Sequence, residues 1–138
     1  MDWIYNGSLC QVAPEGYLGF IYRIDYTDGS FYYGKKNILS TRKVPLGKKA
    51  LAELTDKRLK KYKTVVKEVA WQRYAGSTKY SEGKTISSKT IIVWARTNKA
   101  LRYLEEKLLF LEDVLFKPEC LNMNIGGRYF DNVMEGGL

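Results

Sequence analysis

From Gly19 to Tyr26 the chain reads Gly-Phe-Ile-Tyr-Arg-Ile-Asp-Tyr, an alternation of apolar and polar positions with the period of a half-buried strand. Thr27-Asp-Gly-Ser30 follows with the Asp-Gly signal of a tight hairpin, and Phe31-Tyr-Tyr-Gly34 returns as the second strand. Lys89 to Arg96 is a β-branched run of strand length, suited to burial on both faces, and predicts a third strand. Asn98 is then placed to cap a helix that runs to about Leu115, because Pro118 forbids continuation. Leu101, Leu104, Leu108, Leu111 and Leu115 recur at helical spacing and make one stripe facing the sheet.

Between hairpin and third strand the pattern changes. Leu46, Ala50, Leu51, Leu54, Leu59 and Tyr62 fall near helical spacing with Lys and Arg between them, which predicts one or two basic helices from Pro45 to about Lys63. Residues 64–76 fit two readings: Thr-Val-Val with Val69 suits a strand, while Trp71 and Tyr74 sit three apart like helical neighbours. Residues 77–88, rich in Ser, Thr, Lys and Gly, predict a loop. Residues 1–18 show no period and read as an irregular lead-in, and residues 128–138 as a loose polar tail. The expected organisation is therefore one domain over 19–127, with a basic insertion at 43–67.

A chain of 138 residues has room for one core. Charge is concentrated: between Lys35 and Lys67 there are twelve Lys and Arg against Glu53 and Asp56, within an overall net charge of +8. A focused positive field favours a polyanionic partner, since each neutralised phosphate releases counterions; a merely solvated basic face is the alternative. There is no histidine. Serine–histidine triads, HEXXH zinc sites and histidine–metal nuclease sites are thereby excluded, and chemistry must rest on Tyr, Lys, Arg, Glu, Asp or Asn. Cys10 and Cys120 have no metal-type spacing and read as reduced thiols. With no signal peptide and no membrane-length apolar run, a cytoplasmic location is expected, in the host cytosol if the gene is phage-borne.

Tyr22 on the first strand and Tyr32 on the second stand ten apart across the turn. Cross-strand aromatics also stabilise hairpins with no other role. On the helix, Glu105 lies about 40° from Leu101 and about 60° from Leu108, at the border of the leucine stripe, where a carboxylate needs a partner. Glu112 also borders the stripe, and Glu106 faces Arg102 as a surface pair.

Gly19-Phe-Ile-Tyr22 followed by Tyr32-Tyr-Gly34 resembles the two motifs that name the GIY-YIG nucleases. Lys35-Lys36-Asn37 after the second motif, Trp71-Gln-Arg-Tyr74-Ala-Gly-Ser77, the helix with Leu104-Glu-Glu-Lys107, and an asparagine-bearing turn behind it extend the likeness to phage-type members. The resemblance implies an α+β fold, a three-stranded antiparallel sheet flanked by helices. It implies a Mg²⁺ (or Mn²⁺) on Glu105, with Tyr22 deprotonating or positioning the attacking water and Tyr32 orienting water or phosphate, all facing one ion. A phenol is a poor base at its reference pKa of about 10, so such a role needs a nearby cation or metal. Arg42, on a helix after the hairpin, would stabilise the phosphate, with Lys36 and Arg73 as substitutes. Asn122, with Asn124 as the other choice, would support the site. Lys35, Lys48, Lys49, Lys57, Arg58, Lys60, Lys61 and Lys63 would hold the backbone of DNA, RNA not being excluded. The expected assembly is a monomer or weak dimer without a membrane partner. A nucleic-acid-binding module that has lost cleavage is the alternative.

Overall fold

The computed structural model describes residues 1–53, 62–76 and 78–131. In chain order the strands and helices are β1 (Trp3–Tyr5), β2 (Ser8–Leu9), β3 (Gly19–Tyr26), β4 (Phe31–Asn37), β5 (Leu39–Pro45), α1 (Lys48–Ala52), β6 (Tyr62–Glu68), β7 (Ile86–Ala95), α2 (Asn98–Leu111), β8 (Asn124–Ile125) and β9 (Tyr129–Phe130). They fall into two units, Met1–Ile38 with Ala70–Leu138, and Leu39–Val69.

In the first unit the hairpin forms as expected. Gly29 takes φ +89°, which a side chain would resist, and Asp28 accepts from the Ser30 backbone N–H at 2.9 Å. The antiparallel trio β7-β3-β4 makes up one side of the sheet, with β4 at its edge, and the architecture is α+β as predicted. The sheet is wider than three strands, however, with order β2-β1-β7-β3-β4 and β1 parallel to β7. Residues 1–18 are thus not an irregular lead-in throughout. Trp3 is 1% exposed, and its indole N–H donates to the Trp71 carbonyl at 3.1 Å. The segment is too short to show a period, yet one buried tryptophan is worth about 1.5–3 kcal/mol of burial.

Two layers cover the sheet. On one side Trp3, Phe20, Trp71 and Trp94 meet edge to face at 5.0–5.6 Å. On the other, α2 lays Leu101, Leu104 and Leu108 against Ile21 and Ala95. The helix differs from expectation at both ends. Thr97, not Asn98, is the cap, accepting from the Ala100 N–H at 3.0 Å. It stops at Leu111, beyond which Asp113 is left-handed (φ 48°); Leu109 is buried while Leu111 is 69% exposed. A bulge in β7 opposite Ile21 and Tyr22 keeps Trp94 on the tryptophan side and leaves Ile92 exposed.

The second unit is a two-stranded antiparallel ribbon, β5 with β6, joined through the five-residue α1. Of the basic helices expected from Pro45 to about Lys63, α1 is present, strand takes the two ends, at Pro45 and at Tyr62 and Lys63, and residues 54–61 lie outside the described residues; Arg42, expected on a helix, stands on β5. β-Branched Thr41, Val44, Thr64, Val65 and Val66 favour the strands. Lys48 and Lys49 do lie on α1, whereas Lys57, Arg58, Lys60 and Lys61 lie outside the described residues.

Candidate active site

Alternation along the hairpin sends its side chains to two faces. Phe20, Tyr22 and Ile24 share one face with Tyr32, Gly34 and Lys36; Ile21 and Arg23 share the other with Tyr33 and Lys35.

On the first face Tyr22 is fully buried. Its ring lies 6.2 Å from that of Tyr32 and 5.7 Å from that of Tyr74. Its hydroxyl meets the Tyr74 hydroxyl at 3.4 Å and stands over its register partner Gly34. A Cβ on Gly34 would lie 2.5 Å from Tyr22 Cζ, so the motif's glycine is required by close approach. Tyr32 and Tyr74 are half-buried. Lys36 Nζ rides over the Tyr74 ring, 4.4 Å from its centroid. The turn carrying Tyr74 is tied down by Lys89, whose ammonium donates to the carbonyls of Tyr74 (2.5 Å) and Gln72 (3.4 Å). Burial pushes the Lys89 pKa down, opposed by the charge of Asp2, and the ammonium lies 4.4 Å from the Trp3 ring centroid.

On the opposite face Glu105 projects from α2, half-buried. Burial raises its pKa, and Lys35 is the strongest charge opposing that rise. Among the described residues its carboxylate has no hydrogen bond or close ion pair. Its neighbours are engaged: Glu106 pairs with Arg102 at 3.8 Å and Glu112 with Lys117 at 3.5 Å.

The expectation that both phenols and this acid face one pocket is corrected here. They lie on opposite faces of the sheet, and what they share is the edge at β4, where Tyr22 pairs with Gly34 and Ile21 with Lys35. That edge is closed at its start by residues 119–122, with Phe31 N–H donating to the Glu119 carbonyl (3.1 Å) and Leu121 N–H to the Phe31 carbonyl (2.8 Å). Asn122 completes the closure: it accepts from the Tyr33 N–H at 2.9 Å and donates to the Tyr33 carbonyl at 2.8 Å. The next outward-facing backbone groups, those of Lys35, lie past the end of this segment.

Asn122 thus belongs to the strand edge, and Asn124 accepts from the Gly127 N–H at 3.0 Å as a turn residue. Arg73 is exposed on the 3-10 turn Trp71–Arg73. Arg42 lies on a strand of the second unit, not on a helix. Sequence reasoning gave Tyr74 no chemical role and passed over Lys89. The signal for Lys89 was a lone lysine heading an apolar strand, a place where burial forces a cation to find acceptors.

Among the described residues no three Asp, Glu or Cys side chains converge as a metal cluster. A family model described as "Putative endonuclease segE, GIY-YIG domain" matches residues 3–130. No curated protein and no solved structure matches the chain.

Proposed function

The chain belongs to the GIY-YIG endonuclease family, and from that premise we propose that it hydrolyses phosphodiester bonds of DNA at the open edge of β4, around Gly34 and Lys35. One observation carries this location: side-chain-free Gly34 lies under the Tyr22 hydroxyl, and adjacent Lys35 faces Glu105. Among the described residues no further strand pairs with β4 on this side, and a phosphate at such an edge can be approached from both faces, which an enclosed pocket on one face would not permit.

Glu105 suits a divalent cation of the magnesium class, which is commonly held by one or two carboxylates with water and substrate phosphate completing the shell. When bound, such an ion would supply Lewis-acid polarisation of the phosphate. Half-buried Tyr32 orients the attacking water or takes its proton as the oxygen–phosphorus bond forms, and the departing sugar oxygen is protonated from solvent. Tyr22, with no exposed surface, acts through Tyr74 as a positioning residue. Lys36, held against Tyr74, is the cation assigned to charge developing on that face, and Lys35 the one that shares the other face with Glu105.

A second reading, binding without cleavage, is favoured by the placement of the phenols and the acid on opposite faces. Nicking of supercoiled plasmid in Mg²⁺ separates the two. Cleavage by wild type, lost by about 10²-fold or more in Tyr32→Phe and Glu105→Ala with DNA binding retained, supports the nuclease. No metal-dependent nicking across substrates gives the binder.

A further inference from the structure

We propose that the β5–β6 ribbon enters the major groove of duplex DNA, with Arg42 reading a base edge between two phosphate-binding lysines. The inference rests on the DNA reading above but concerns a different unit of the chain. Residues 39–69 carry ten Lys and Arg against three Asp and Glu, and every residue described on β5 and β6 is exposed or half-buried.

Register decides which face does this. Ser40 opposes Lys67, Arg42 opposes Val65, and Val44 opposes Lys63, and directly opposed residues share a face. That face holds three cations and no acid. The other holds Lys43 and Glu68 among Leu39, Pro45, Tyr62 and Val66. The cationic side is thus the one matched to a polyanion.

Dimensions select the duplex. A two-stranded ribbon fits the major groove of B-DNA, about 12 Å wide, whereas the deep, narrow major groove of A-form RNA excludes it. The seven residues of each strand span about 20 Å, roughly six base-pair steps. Lys63 and Lys67 are about 13 Å apart along β6, with Arg42 between them on the neighbouring strand. A flexible ammonium binds phosphate as a point charge, while the guanidinium fork matches the two major-groove acceptors of guanine.

The test is fluorescence anisotropy of the full chain on a mixed-sequence 20-bp DNA duplex without divalent cation, at several salt concentrations. Lys63→Ala/Lys67→Ala is expected to weaken binding at least tenfold and to flatten the salt dependence by about two counterions. Arg42→Ala is expected to lose about 5- to 100-fold, and to be insensitive to replacing guanine by 7-deazaguanine, which weakens wild-type binding. An RNA duplex of the same sequence should bind at least tenfold more weakly. Unchanged affinity and salt slope in the lysine variant, equal binding of RNA, or no 7-deazaguanine effect on wild type overturns the proposal. Failure here is distinguishable from failure of the nuclease reading, because anisotropy without divalent cation reads binding alone, whereas nicking of supercoiled plasmid in Mg²⁺ reads cleavage. Arg42, Lys63 and Lys67 are all exposed, and circular dichroism verifies that the fold persists.

Discussion

Gly34 and Tyr22 are a single steric unit. Adding one methyl at Gly34 drives it into the Tyr22 hydroxyl and ring carbon, and that ring is fully buried among Trp3, Tyr32 and Tyr74. Gly34→Ala is expected to cost about 1–3 kcal/mol as overpacking, read by thermal denaturation, and to lower cleavage beyond what the lost stability explains. Tyr22→Phe keeps the packing and removes only the hydroxyl bonded to Tyr74, so its rate loss should be smaller than that of Tyr32→Phe. Equal losses would show that Tyr22 reaches the reacting atoms directly. Glu105 makes a separate prediction about pH. Burial holds its folded pKa above the ordinary glutamate value, so the neutral acid's contribution is complete below that ordinary value and is lost as pH rises through the folded pKa. Glu105→Gln, neutral at every pH, should melt with wild type in acid and above it at neutral pH. Mg²⁺ should narrow the neutral gap by stabilising wild type alone. A variant that melts below wild type at neutral pH would mean the carboxylate already has a partner.

At the scale of elements, the edge of β4 is secured by a side chain. Asn122 satisfies both the N–H and the carbonyl of Tyr33, and removing it leaves two buried backbone groups unpaired at about 1–3 kcal/mol each. Asn122→Leu should therefore lower the melting temperature by several degrees and, where cleavage is measured below the transition, change affinity little. The hairpin was legible in the sequence because period-two alternation and an Asp-Gly turn are local signals. So was the half-buried place of Glu105 at the border of the leucine stripe, because position on a helix follows from counting. Three features were not. Trp3 joins the sheet through contacts 68 residues away at Trp71 and in register with Lys89; the end of α2 depends on Asp113 turning left-handed; and the faces of the site depend on which layer α2 covers. Each is set by tertiary packing, and neither composition nor period carries it.

Across the whole molecule, stability is expected to be uneven, and hydrogen exchange can measure how. The first unit buries Trp3, Phe20, Tyr22, Trp71 and Ile91 to 2% exposure or less, so amides in β3 and β7 should exchange only through near-global opening. The ribbon has no buried residue on either strand, and a two-stranded sheet alone is marginal in water. Peptides covering 39–45 and 62–68 should exchange orders of magnitude faster than those covering 19–26 and 86–95. Duplex DNA without divalent cation should then slow exchange in the ribbon by a factor set by its affinity, since a ligand stabilises only the state it binds. Protection appearing on β3 and α2 while the ribbon stays fast would place the grip on the first unit. Protection confined to the ribbon would show that holding DNA and cutting it are tasks of different units, joined by the chain at Ile38 and Ala70.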